Sequence, residues 1–281
     1  ASGTISDAYM KIDTATNAGN GLPSATMQFH GTADKYSVSG GTVLATLYSS
    51  RTTATTSPAV IQNIYGSGKA IAFMYDLAQS VVLTRQGNPA NANHDRDNDG
   101  ILRSIDLFQA IPPSTTLWID RERLHIPQAD EQQRFLAHII LDLLDLPMPR
   151  LWYFPDNEMS MLIPTGDAHG QNSSTFQNEI DSLAAHQAPL TFYLAIGGNI
   201  TASNIADWTT QGFEFGIHPY KYKEDSYPPY DIDDLTDGYA TYTDWFPDTF
   251  NTQPSRTVRN HQVAWQGWSE AAEIALSLIH I

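Results

Sequence analysis

The sequence predicts a chain of the α/β class in two domains, residues 1–147 and 148–281, and three observations support this. Apolar, β-branched runs separated by turns predict strands in residues 41–85. A stretch with apolar residues at helical spacing, 129–146, ends at Pro147-Met-Pro. Beyond it, strand-like and helix-like segments alternate, an order typical of a parallel sheet or barrel.

The first domain contains a predicted hairpin. Gly41–Tyr48 and Ala59–Tyr65 are rich in β-branched and apolar residues, which favours strands. Another such run, Lys69–Asp76, follows the turn Gly66-Ser-Gly. Two apolar runs across a turn of this kind predict antiparallel strands.

The hairpin region also resembles a known family. Pro58-Ala, Gly66-Ser-Gly-Lys and Asp76-Leu are similar to the closing strands of the glutamine-amidotransferase-like domain, as in the trimerisation domain of certain β-galactosidases. The resemblance implies a partial, flavodoxin-like domain whose N-terminal portion is missing. Because the chain has no cysteine, it also implies a non-catalytic module through which the protein forms oligomers.

Composition excludes several classes of partner and chemistry. With 31 acidic and 15 basic residues the formal net charge is −16, which argues against nucleic acid and anionic membranes because phosphates are repelled. No apolar run is long enough to span a bilayer, and no signal peptide is visible. The lack of cysteine excludes disulfides, thiolate metal sites and a cysteine nucleophile.

Residues 95–106 fit the twelve-residue calcium loop. Carboxylates stand at loop positions one, three, five and twelve, and a glycine at position six permits the sharp turn. Calcium takes about six to eight oxygen ligands, which alternating carboxylates on a tight loop supply. An acidic, solvated surface loop is the alternative interpretation. The predicted ligands of this structural site are Asp95, Asp97, Asp99, Asp106 and the backbone oxygen of Ile101.

Polar side chains follow the predicted strands of the second domain. Asp167, His218 and His261 each stand where such a strand ends, and α/β folds keep their sites at the carboxyl ends of strands. The predicted elements are strand 159–163, helix 175–186, strand 189–197, helix 205–210, strand 213–218 and, after residues 257–265, a further helix.

This order of motifs resembles the polysaccharide deacetylase family. Thr165-Gly-Asp167 stands where the family's Thr-Phe-Asp-Asp-Gly motif ends the first strand. Leu190-Thr-Phe-Tyr corresponds to its second strand, often Ala-Thr-Phe-Phe. Gly212-Phe-Glu-Phe-Gly-Ile-His218 matches its third, Gly-His-Glu-Ile-Gly-Asn-His, with Gly, Glu, Gly and His in register. The resemblance runs from about residue 151 to the end and implies the front part of a (β/α) deacetylase-type barrel, C-terminally incomplete.

The resemblance implies a metal-dependent hydrolase, extracytoplasmic or secreted, that removes acetyl groups from a carbohydrate or amino-sugar polymer. Asp167 would be the general base, and Arg259, in the place of the family's Arg-containing motif, would orient it. If catalysis needs the missing C-terminal part of this domain, we expect the fragment in this chain to be inactive.

The chain departs from the family pattern at two metal ligands. Ala168 stands in place of the second Asp, and Tyr222 in place of a second His. Shifting the register by one residue makes Asp167 the metal ligand but loses the base. The favoured alternative is a rearranged site. Its ligands for zinc or a similar metal are Asp167, His169, His218 and His261.

Aromatic residues near these motifs are candidates for a sugar-binding platform, namely Tyr220, Tyr222 and Trp265, although core packing would explain them equally. Two other functions compete with hydrolysis. The missing ligands favour a degenerate module that binds carbohydrate without turnover. The first domain and the calcium loop favour an assembly protein.

Overall fold

The computed structural model describes residues 1–144, 156, 158, 160–170, 172–219 and 231–279. The chain is of mixed α/β class, as predicted. It forms two compact units, Ala1–Asn88 with Ala110–Leu151, and Pro89–Gln109 with Trp152–Ile281. The sequence-based division at 147/148 places residues 89–109 in the first domain, whereas the structure groups them with the second unit.

The first unit is built on one antiparallel sheet in the strand order β2-β1-β3-β4-β5. Its β4 and β5 form the predicted hairpin, with Tyr65 opposite Gly68. The expectation of a flavodoxin-like fold needs correction for these strands, because such a fold requires a parallel sheet. Short connections return the chain beside itself, which antiparallel pairing allows and parallel pairing does not. The strands are β1 Gly3–Ile12, β2 Met27–Lys35, β3 Thr42–Tyr48, β4 Ala54–Tyr65 and β5 Gly68–Phe73.

The first unit also contains two helices, α1 (Leu77–Gln86) and α2 (Gln128–Leu143). The strand prediction is wrong for residues 77–85, which form α1 because Asp76 caps a helix there by accepting the Gln79 N–H. The predicted helix 129–146 is confirmed as α2, and its buried Phe135 and Ile139 join the apolar core of the sheet. None of the described helices has both the length and the apolar character needed to cross a membrane.

The second unit contains a parallel sheet in the order β6-β7-β8. Val258 extends it through a parallel bridge to Ile217, the last residue of β8. The predicted alternation of strands and helices is confirmed here. The elements are β6 Thr165–Ala168, α3 Ser173–Ala185, β7 Thr191–Leu194, α4 Ala202–Thr210, β8 Glu214–Ile217, α5 Ile232–Phe250 and α6 Glu270–Ile279.

The strand predicted at residues 159–163 is wrong for the described residues of that range. Residues 160–164 have no regular structure, and the side chains of Leu162 and Ile163 are 87% and 71% exposed. Pairing with β7 begins at Thr165, so the Thr-Gly-Asp motif itself forms the first strand.

Candidate metal centre

The carboxyl ends of the parallel strands bring five polar side chains together. Asp167 lies on β6, His169 follows that strand, and His218 follows β8. Arg259 and His261 come directly after the bridged residue beside β8. Since parallel strands end at a common edge, this convergence follows from the sheet topology.

Three imidazoles form the centre of this cluster. Ligand nitrogens of His169, His218 and His261 all lie within 4.8 Å of one another. The ring centroids are 4.8, 4.9 and 5.3 Å apart. Zinc bound tetrahedrally at about 2.0–2.1 Å needs nitrogens roughly 3.4 Å apart. Since the nitrogens lie within 4.8 Å of one another, a closing movement of at most about 1.4 Å would meet that need, so the group can hold a metal ion.

His218 has the protonation pattern of a metal ligand. Its side chain is 1% exposed, and Nδ1 lies 2.7 Å from the carbonyl oxygen of Arg259. A carbonyl only accepts, so Nδ1 carries the proton and Nε2 presents its lone pair. That buried Nε2 has no hydrogen-bond partner. Burial lowers the pKa of His218 and keeps the ring neutral, and a metal would satisfy the lone pair of Nε2.

His261 is also neutral at neutral pH. Burial, followed by the neighbouring imidazoles of His218 and His169, lowers its pKa to about 4, although Asp167 acts in the opposite direction. Neutral imidazoles bind a metal without first losing a proton. His169 is exposed, so the cluster opens to solvent on its side.

Asp167 lies beside the three imidazoles, held by an arginine. The Nε of Arg259 is 3.0 Å from its Oδ1, and Nη1 of Arg259 donates to Thr165 Oγ1 at 3.1 Å. The same carboxylate oxygen is 3.9 Å from Nδ1 of His218. Sequence reasoning missed Thr165, although alternate residues of a strand share a face, and this places Thr165 with Asp167.

Of the three residues predicted to form the sugar-binding platform, the structure describes only Trp265. Trp265 is partly buried, and its indole N–H donates to the Trp268 carbonyl at 3.2 Å. It packs against the core of the second unit and lines a largely apolar cavity of about 640 Å³ together with Arg259 and Leu276. Tyr220 and Tyr222 lie outside the described residues.

The predicted calcium loop brings three of its ligands together. Carboxylate oxygens of Asp95, Asp97 and Asp99 lie within 4.8 Å of one another. Partial desolvation and the neighbouring carboxylates of Asp106 and Asp95 raise the pKa of Asp97. The Ile101 N–H donates to Asp99 at 3.0 Å.

Asp106 has a different environment from the other acidic residues of this loop. Its carboxylate is buried and accepts hydrogen bonds from the backbone N–H groups of Arg96 at 2.7 Å and Arg103 at 2.8 Å. These bonds organise the loop without a cation. Calcium binding by the loop therefore stays a prediction.

The chain matches no protein-family model, no curated protein and no solved structure in comparisons with known proteins.

Proposed function

We propose that this protein is a metal-dependent hydrolase that removes acyl groups from a carbohydrate or amino-sugar polymer. The observation that carries the proposal is the convergence of His169, His218 and His261 beside an arginine-held Asp167 at one edge of a parallel sheet. Such a set combines a metal site with an adjacent base, which amide or ester hydrolysis requires.

The donor chemistry fits zinc. Three imidazole nitrogen ligands leave a fourth position open, as in catalytic zinc sites. In the proposed site, His261 takes the place of the family's second His, where this chain has Tyr222. His169 takes the place of the family's second Asp, where this chain has Ala168. Since the Asp167 carboxylate pairs with Arg259, we assign it as the base rather than as a ligand, so the proposed site keeps the three histidines of the rearranged site but not its carboxylate ligand.

The side chains of the site have distinct tasks. A metal bound here would polarise the acyl carbonyl and lower the pKa of a water molecule. Asp167 accepts a proton from the attacking water and can return it to the leaving nitrogen or oxygen. The guanidinium of Arg259, fixed by Thr165, orients that carboxylate through a charge-assisted pair. The buried His218 anchors the site through the Arg259 carbonyl.

The finer fold assignment belongs to the same proposal. Three parallel strands, followed by a bridged fourth segment, support the front part of a deacetylase-type barrel. A polymeric glycan substrate would favour an extracytoplasmic location, and the first unit is the candidate for oligomer formation.

Metal content and acetate release test this proposal. Purified protein, reconstituted with zinc and desalted, is expected to retain about one equivalent by elemental mass spectrometry. His218→Ala should lose it. The matched control is His186→Ala, because His186 is an exposed residue at the end of α3, bonded to Ser182. The zinc-loaded protein should release acetate from N-acetylated chitooligosaccharides or acetylated xylan, and a chelator should stop this. Zinc retained equally by His218→Ala would contradict the metal site.

A second candidate function is carbohydrate binding without turnover. It is favoured by Ala168, which occupies the place of a family ligand and is buried in the apolar core of the second unit. Binding of the same glycans that survives chelation, with no acetate released, would support this function over hydrolysis.

A further inference from the structure

The backbone after His261 adopts a conformation that needs external support. Gln262 has φ 53° and Val263 has φ 58° within the short turn His261–Val263. Left-handed backbone is rare for residues other than glycine and most unusual for a β-branched one such as valine. Conformations of this kind persist only where surrounding contacts hold them, and they cluster at functional sites.

Leu102 and Arg103 provide such contacts from the loop that follows the acidic cluster. Arg103 Nε donates to the Gln262 carbonyl at 2.8 Å. The backbone of Arg103 forms an antiparallel bridge with Ala264, and the Leu102 carbonyl accepts the Trp265 N–H at 2.8 Å. Leu102 and Arg103 thus bond to the chain on both sides of Val263, at Gln262 before it and at Ala264 and Trp265 after it.

Arg103 is itself held in place. Its guanidinium pairs with Asp99, four residues earlier, and is 24% exposed. Its backbone N–H donates to the buried carboxylate of Asp106 at 2.8 Å. The Nε donor is therefore aimed at Gln262 by contacts on its own loop.

We propose that Arg103 is a positioning residue of the metal site, which holds the His261 imidazole at its ligand position through the Gln262 carbonyl. The inference rests on the metal site of the proposed function, but not on the acyl substrate. Without this bond, the turn at Gln262 and Val263 can relax toward ordinary negative φ, and such a change rotates the residue that precedes it.

Cobalt affinity and the visible absorption of the cobalt protein test this role. Arg103→Ala should weaken cobalt binding about tenfold or more, as is typical of outer-shell partners of metal ligands, and should change the absorption of the bound ion. The matched control is Arg96→Ala, which removes the same charge from the same loop; in the wild-type protein Nη2 of Arg96 donates to the Ala90 carbonyl at 3.3 Å. That control should keep wild-type affinity and spectrum.

A double-mutant cycle shows whether Arg103 acts through His261. In a His261→Ala background, Arg103→Ala should cause no further loss of affinity, because the ligand that it positions is gone. Should Arg103→Ala fail to fold, Arg103→Lys keeps a cation for Asp99, but its single ammonium cannot also hold Gln262 in the same geometry. We expect wild-type melting and weakened cobalt binding for that variant.

Wild-type affinity in a folded Arg103 variant, or an equal loss with and without His261, would overturn the inference and leave the metal site standing. A wild-type protein that takes up no cobalt would overturn the metal site, and the inference with it.

Discussion

Asp167 can be the base or a metal ligand, and its contacts distinguish the two roles. Its Oδ1 pairs with Arg259 Nε at 3.0 Å and lies 3.9 Å from the His218 ring. Because the imidazole that it approaches is fixed by another acceptor, the carboxylate is held by Arg259 rather than by His218, which supports the role of base in the proposed function.

We therefore expect Asp167→Asn to retain zinc and to lower the rate of acetate release by about 10²–10⁴-fold, the usual contribution of a general base. Metal content and kcat are measured on the same preparation. Asp181→Asn is the matched control, since Asp181 is an exposed carboxylate on α3 bonded to Gln177. Loss of zinc in Asp167→Asn would show instead that the carboxylate is a ligand.

Gly216 illustrates why a motif residue can be structural. A Cβ at this position in β8 would lie 2.9 Å from both the Thr257 carbonyl oxygen and the Tyr193 ring. The glycine thus lets the segment that carries Arg259 and His261 approach β8 closely.

We expect Gly216→Ala to lower the free energy of unfolding by about 1–3 kcal/mol through overpacking. Denaturant unfolding measures this. Gly166→Ala, in the same sheet, is the control, because its Cβ would meet only side-chain atoms at 3.4 Å or more. Equal effects of the two substitutions would refute the packing argument.

At the level of elements, the loop 95–106 combines two roles that substitutions can separate. Asp97 stands in a crowded group of exposed carboxylates, whereas Asp106 is buried and bonded to backbone N–H groups. Like charges so close together favour a bound cation, while buried acceptors favour an ordered loop.

Asp97→Asn is expected to weaken calcium binding about tenfold or more, measured by calorimetric titration after chelator treatment, without loosening the calcium-free loop. Asp106→Asn should increase amide hydrogen exchange across the loop even without calcium, because an N–H acceptor becomes partly a donor. A wild-type titration without heat of binding would exclude the calcium site.

Sequence patterns predict elements whose apolar residues follow a clear period, such as β3, β4, α2 and β8. They fail where tertiary packing decides. Residues 161–163 are apolar yet do not form a strand. Helix α5 was not predicted, because its many Thr, Tyr and Asp residues have weak helix propensity, although Tyr239, Tyr242 and Phe246 all face the core.

For the whole molecule, the strand-end rule predicted which residues meet but not the role of each. Asp167, His218 and His261 could be placed at one edge because each lies at or just beyond the carboxyl end of a parallel strand or its extension. Whether Asp167 pairs with Arg259 depends on side-chain orientation, which spacing along the chain does not encode. Arg103 lies more than 150 residues from Gln262 in sequence, so sequence patterns could not predict its bond to the turn either.

Metal binding should stabilise the second unit alone. A ligand that binds only the folded state adds about 2.7 kcal/mol at 100 times its Kd, and all three imidazoles belong to this unit. Zinc should therefore slow hydrogen exchange in peptides from 165–218 and 257–265, while peptides from 1–88 serve as the internal control. His218→Ala should abolish the effect. Protection confined to residues 95–106 would place the ion in the acidic loop instead, and protection spread over both units would contradict a site built from these histidines.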